Sequence, residues 1–383
     1  MVKLALLGAT ALHAAAVLGA LTAQSLPARD EELRLVKTSD EDAGTWMTEE
    51  QKFEQLISKG IHFADITDTM ELETLRAERL ASALEKRATF PSGASHQSQA
   101  SPLIAKLSQS NLQTWTNTMA DFYNRYYKGT YAATSAKWMF DTVKSVASAN
   151  SAITVKQFAH SYNQPSVIAA IPGTSGEVVV VSAHYDSVGT STSGRAPGAD
   201  DNASGVVVIL EALRVLAEAK FKPANTLEFH FYSGEEGGLQ GSRGVMQSYA
   251  RSGVKVLAVM NQDLTLLGET YQMTGYSPNN VIAVYTDYVD AGLTSFLQKL
   301  VPVYTQLKLT TDKCGYACSD HLRRTYRLSK RRRLPPAYVC DENMADSSPY
   351  IHSANDAVST LSFPHMLQHA KLTVGFLVEG SYF

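Results

Sequence analysis

The chain has 383 residues, of which 44% are hydrophobic and 19% charged, and its formal net charge is −3. That length buries a sizeable core in one large or two smaller domains, and the composition is ordinary for a soluble globular protein. The near balance of charge excludes nucleic acid or an acidic membrane surface as the main partner.

Lys3 precedes an apolar run from Leu4 to about Ala23 that contains the small residues Gly19, Ala20 and Ala23. A positive start, a short apolar stretch and small residues read as a secretory signal peptide over 1–20, with the cut between 19 and 23. The run is near the lower limit for spanning a membrane and no second long apolar stretch follows, so no stable anchor is expected. Secretion then places Cys314, Cys318 and Cys340 in oxidising surroundings, where one disulfide can form and one cysteine is left over. Residues 24–87 are acidic at first (Asp30, Glu31, Glu32, Asp40, Glu41, Asp42), continue with polar helix formers and end in Glu85-Lys86-Arg87. A dibasic pair between two compositionally distinct stretches, followed by Pro91-Ser92-Gly93, reads as a processing site. Residues 21–87 are therefore expected to be a propeptide and 88–383 the mature domain.

From about residue 100 the pattern is regular. The stretch 103–144 reads as mostly helical; strands are expected at 167–171, 178–183, 226–232 and 254–260, and helices at 206–219, 239–250 and 363–377. Strands alternating with helices predict an α/β fold, a mixed sheet with helices on both faces. In such sheets functional groups gather in loops at the carboxyl ends of the strands.

Metal-ligand candidates fall at those ends. His184 and Asp186 are two apart in an extended chain and face one side, so Asp186 can hold the second imidazole nitrogen. Gly198-Ala199-Asp200-Asp201-Asn202-Ala203-Ser204-Gly205 runs into an apolar helix; Asp and Asn there are ordinary caps, but two adjacent acids among Gly and Ala leave room for a metal. Asn202-Ala203-Ser204 is also a glycosylation sequon, expected to be unused because it lies beside that site. In Ser233-Gly234-Glu235-Glu236-Gly237-Gly238, one carboxylate can bind metal while the other moves protons. Asp263 follows a buried strand, where a carboxylate needs a partner such as a cation, and His352 follows Ile351. Three ligands per zinc is the usual catalytic count. Two zincs served by His184, Asp201, Glu236, Asp263 and His352 require one shared carboxylate, with ions roughly 3.5–4 Å apart.

These motifs, with Asn261-Gln262-Asp263 and Cys314-Gly315-Tyr316-Ala317-Cys318-Ser319-Asp320-His321, resemble those of the M28 zinc aminopeptidases, especially secreted fungal leucine aminopeptidases, and stand in that family's order. The resemblance implies a single α/β domain with a mixed, mostly parallel twisted sheet flanked by helices. It implies two Zn2+ per chain: Asp201 bridging, His184 and Asp263 completing one site, Glu236 and His352 the other. It further implies Glu235 as general base with Asp186 beside His184, a Cys314–Cys318 disulfide, and a propeptide that masks activity. The expected partners are peptides with a free N-terminus, and a secreted monomer is expected. Tyr316 and Ile351 are candidates to line a pocket for a Leu-like side chain. The run from Arg323 to Arg333, rich in Arg and Lys, departs from the family pattern, which resumes at Ala337-Tyr338; it touches no proposed ligand. A structural zinc on Cys314, Cys318, His321 and Cys340 is the rival to the disulfide. A one-zinc glutaminyl cyclase-like transferase and a non-catalytic receptor-like domain are the rival functions; retention of both ligand sets argues against each.

Overall fold

The computed structural model describes residues 32–39, 41–73, 89–262, 279–287, 289–313, 336–341, 343 and 348–383. The strands are β1 (Arg34–Lys37), β2 (Thr45–Met47), β3 (Ala64–Asp65), β4 (Thr154–Phe158), β5 (Ser166–Ile171), β6 (Glu177–His184), β7 (Thr226–Tyr232), β8 (Lys255–Asn261), β9 (Val281–Tyr285), β10 (Lys308–Asp312) and β11 (Pro336–Cys340). The helices are α1 (Glu49–Gln55), α2 (Gln97–Ile104), α3 (Gln109–Asp121), α4 (Ala132–Ala147), α5 (Gly205–Glu218), α6 (Gln240–Ser252), α7 (Ala291–Tyr304) and α8 (Phe363–Gly380).

The main sheet has eight strands in the order β10-β9-β11-β8-β6-β7-β5-β4. Its centre is parallel, because β6 pairs with both β7 and β8 in that sense, while β5 and β4 are added antiparallel at one side. The alternation of side chains along a strand divides the core. Val179, Val181 and Ala183 of β6 pack in the cluster that holds α5 and α8, and Val178 and Val180 pack on the other face against Val245 and Met246 of α6. Each face thereby hides apolar area worth about 25 cal/mol per Å². The chain passes from β6 to β7 on one side, then returns past β6 to reach β8 on the other. Such a reversal opens a crevice at the carboxyl ends of the strands. The expected strands and helices of the central region are all present, with ends displaced by a residue or a few.

The N-terminal stretch departs from its polar-helix appearance. Residues 32–73 form a three-stranded antiparallel sheet in the order β2-β1-β3, with α1 between β2 and β3. Helix α1 opens with a reciprocal cap: Gln51 N donates to Thr48 Oγ1 at 3.2 Å and Thr48 N donates to Gln51 Oε1 at 3.0 Å. The strands are two to four residues long, too short to show a period of two. The unit packs on the main domain through Val36, Leu56, Ile57 and Phe63 against Tyr126, Tyr127 and Val188. At its centre Lys52 is fully buried. The ammonium lies 2.9 Å from Glu49 and 3.4 Å from Asp65, and donates to Tyr127 Oη at 3.1 Å and to Gly237 O at 3.2 Å. Gly238 (φ +101°) sits so close that a β-carbon there would lie 2.6 Å from Asp65 N. The processing site after Arg87 lies outside the described residues.

Candidate metal centre

Strand pairing assembles the site. His184 ends β6 opposite Tyr232, the last residue of β7, so the Ser233–Gly238 loop leaves the sheet beside the His184 imidazole. The turn Ala199–Ser204 that leads into α5 closes over the same edge; it carries Asp201, whose peptide bond to Asn202 is cis. His352 arrives from the segment before α8 with φ +50°, a left-handed conformation uncommon for a residue with a β-carbon. Strain of this kind gathers where a side chain must be aimed.

Asp201 faces both histidines. Its Oδ1 lies 3.0 Å from His184 Nε2 and its Oδ2 lies 3.2 Å from His352 Nε2. Glu236 Oε2 lies 3.0 Å from the same His352 nitrogen, and Glu235 Oε2 is 3.9 Å from His184 Nε2. One ligand atom each from Asp201, Glu236 and His352 falls within 4.8 Å of the others, and so does one each from His184, Glu235 and Glu236. These residues are held in place from behind. Asp186 accepts from Glu235 N at 3.2 Å and from Glu236 N at 3.1 Å, and Glu236 Oε1 accepts from Val188 N at 3.1 Å.

The carboxylate of Asp186 is thus mainly the anchor of the two-glutamate loop. His184 Nδ1 is nearer the Asp186 main-chain oxygen, at 3.2 Å, than its carboxylate, at 3.5 Å. His184 Nδ1 therefore faces both the main-chain oxygen and the carboxylate of Asp186, while that carboxylate also accepts from the two loop amides.

Two further residues went unassigned in the sequence. Asp356 accepts from Asp200 N at 2.8 Å and Asp201 N at 3.0 Å, so it sets the turn that aims Asp201. Its position four residues after His352 was the available signal. Arg125, also buried, donates to Tyr185 O at 2.8 Å and Gly198 O at 2.9 Å, tying the end of β6 to the same turn. Nothing in its Tyr-rich neighbourhood distinguishes it. Asp263, Cys314, Tyr316 and Cys318 lie outside the described residues, as do His321 and the Arg-rich stretch. Ile351 is buried next to His352, and Cys340 is buried at the end of β11.

The electrostatics call for a cation. Burial pushes the Glu236 carboxyl up most, Asp201 adds repulsion, and His352 offsets part of this, leaving it at about 8. Burial also raises Asp201, but the hydrogen bonds with His184 and His352 outweigh it and hold that carboxyl below the usual range. Burial lifts Asp356 to about 6 despite its two backbone donors. Four buried carboxylates, Asp186, Asp201, Glu235 and Glu236, face two imidazoles, a balance that divalent metal corrects. Mixed imidazole and carboxylate donors suit zinc.

Fold and site together fit a metal-dependent enzyme, and the relatives make it a hydrolase, an aminopeptidase. Peptidase family M28 matches residues 166–377, and the chain belongs to that family. It is 40% identical over 345 residues to leucine aminopeptidase 1 of Phaeosphaeria nodorum, covering 88% of this chain and 86% of that protein. It is also 40% identical over 344 residues to leucine aminopeptidase 1 of Arthroderma otae, covering 87% of this chain and 88% of the relative. Among solved structures, LapB from Legionella pneumophila aligns with a TM-score of 0.75 and 25% identity over 92% of this chain and 95% of its own. The Legionella pneumophila LapA aminopeptidase aligns at 0.74 and 24%, over 92% and 94%, and there the likeness is one of fold.

Proposed function

We propose that this chain is a secreted aminopeptidase that holds two zinc ions and removes N-terminal, Leu-like residues from peptides. The observation that carries the reading is Asp201, whose two oxygens each face an imidazole Nε2 from a different part of the chain. In this reading two zinc ions would be held by His184, Asp201, Glu236, Asp263 and His352, with Asp201 shared between them. When bound, zinc supplies Lewis acidity toward a peptide carbonyl and acidifies water. Glu235 takes the proton from the attacking water and passes it to the departing amine. Asp186 fixes the main chain of Glu235 and Glu236 by its two amide contacts, so base and ligand keep their spacing. The free N-terminal amine of the substrate would be bound at the dinuclear site, which restricts cleavage to the chain terminus. Its similarity to leucine aminopeptidases supports the preference for leucine. Ile351, beside His352, and Tyr316 are assigned to the side-chain pocket.

The same reading keeps residues 1–20 as signal peptide, 21–87 as a propeptide cut after Arg87, and Cys314–Cys318 as a disulfide. Lys52 and Asp65 of the N-terminal unit contact Gly237 and Gly238, one and two residues after Glu236, which suits a propeptide that restrains activity. The test is release of p-nitroaniline from leucyl-p-nitroanilide by protein cleaved after Arg87. Activity lost to a chelator and in Glu235→Ala supports the proposal. Zinc-loaded, folded protein that releases nothing overturns it, and one zinc per chain with cyclisation of N-terminal glutamine would replace it by the cyclase reading.

A further inference from the structure

A second pair of histidines lies on α8, outside the metal centre. His365 is 2% exposed and His369 is fully buried, and their Nε2 atoms are 3.2 Å apart. Burial lowers both, His365 to about 4 and His369 well below the usual imidazole range, with His365 adding to the effect on His369. Two neutral rings joined nitrogen to nitrogen need one donor and one acceptor. The neighbours determine which is which. Thr373 Oγ1 donates to His369 O at 2.8 Å, so its oxygen can only accept from Gln262 Nε2, at 3.0 Å. That orients the Gln262 amide with Oε1 toward His369 Nδ1, at 3.2 Å, and this nitrogen must carry the proton. His369 Nε2 is then an acceptor, and His365 Nε2 is the donor.

The relay ends on the metal centre. Gln262 follows β8 and extends its ladder with β6, donating through its main-chain nitrogen to Ser182 O at 2.8 Å, two residues before His184. Its carbonyl accepts from Asn202 Nδ2 at 3.1 Å, and Asn202 Oδ1 accepts from Gly205 N at 3.0 Å. Gly205 is so close that a β-carbon would meet Gln262 O at 2.1 Å. With no side chain between them, a shift of Gln262 is transmitted directly to the turn that carries Asp201.

We propose that His365 and His369 are positioning residues, a directional hydrogen-bond relay that fixes Gln262 and, through Asn202, the bridging carboxylate of Asp201. The assignment rests on the two-zinc reading of the site. Partners that orient metal ligands from outside the coordination sphere change metal affinity by roughly 10–100-fold when removed, and His369 acts through two intervening residues, Gln262 and Asn202. His369→Leu in the full chain should therefore weaken the less tightly held zinc about tenfold, measured by competition with a chromogenic chelator. It should also lower kcat at little-changed KM once the protein is cleaved after Arg87. His369→Asn keeps a donor at the place of Nδ1, toward Gln262, and should restore most of the loss. The ¹⁵N spectrum of histidine-labelled wild type should show His369 protonated on Nδ1 and His365 on Nε2. A His369→Leu protein with wild-type zinc affinity and turnover, changed only in its unfolding midpoint, would reduce the pair to core filling. Should His369→Leu not fold, Thr373→Val reads the relay from its other end, where loss of zinc affinity supports it and wild-type affinity overturns it. Wild-type protein that takes up no zinc would instead sink the metal-centre reading, while the tautomer spectrum still decides the relay.

Discussion

Two buried clusters of charge lie within a few residues of each other and are solved in opposite ways. At the seam of the N-terminal unit, Lys52 sits against Glu49 and Asp65, and Arg34 against Asp65 and Asp68. Burial alone would raise Glu49, but Lys52 and Lys128 outweigh it and the carboxyl falls to about 2. At the metal centre four carboxylates face two imidazoles, with buried Arg125 behind them, and the balance still leaves Glu236 at about 8. Side chains of this protein can neutralise buried carboxylates, and at the seam they do. The deficit at the crevice is therefore a property of that site, matched to a cation from outside.

The largest expected effect comes from the centre. Glu235→Gln should keep zinc and lose about 10²–10⁴-fold in kcat, the range for removing a general base; zinc content by mass spectrometry beside the rate separates loss of metal from loss of proton transfer. Lys52→Met breaks the seam instead. It leaves Glu49 and Asp65 buried with one cation fewer, and the full chain should lose about 3 kcal/mol of unfolding free energy in denaturant. Full-chain stability unchanged by this substitution would show the seam's charges to be inessential.

The pH dependence of metal-stripped protein sharpens the contrast. Glu236 is raised from 4.5 to about 8, so its contribution is fully present below about 4.5 and is lost as pH rises toward 8. His352 is also raised, by its carboxylate neighbours against the effect of burial, and likewise loses its contribution as pH rises. The gap in Tm between zinc-loaded and stripped protein should therefore widen from pH 5 to pH 8. A constant gap would mean that the carboxylates are compensated without metal. The smallest effect belongs to Lys128, partly exposed and 3.3 Å from both Glu32 and Glu49. Lys128→Ala should change stability by no more than about 0.5 kcal/mol, measured in the same denaturant titration.

The central sheet was legible because β6, β7 and β8 are apolar runs bounded by polar loops, and the candidates His184 and Glu236 were legible because they stand at the ends of β6 and β7. The structure brings His184, Asp201, Glu236 and His352 close together. The three-stranded N-terminal sheet was not legible, since its strands are too short for periodicity and its polar residues resemble a solvated helix. Its buried Lys52 and Arg34 look like surface charges in sequence, because their partners come from elsewhere in the fold. Asp356 and Arg125 were missed for a related reason: they act on backbone amides and carbonyls, which every residue has and no motif marks. The orientation of Asp186 toward the glutamate loop depends on two strands being neighbours, which spacing along the chain does not encode.

The turn that carries Asp201 also contains the tripeptide Asn202-Ala203-Ser204. Asn202 is fully buried, and its amide is spent at both ends, on Gln262 O and Gly205 N. A sugar on that nitrogen has no room in the finished structure, and a molecule decorated before the turn closes cannot complete its catalytic centre. In any host that glycosylates this tripeptide, carbohydrate at Asn202 becomes a mark of chains that failed to mature. A lectin column would then divide a preparation into functional and dead material before any assay is run.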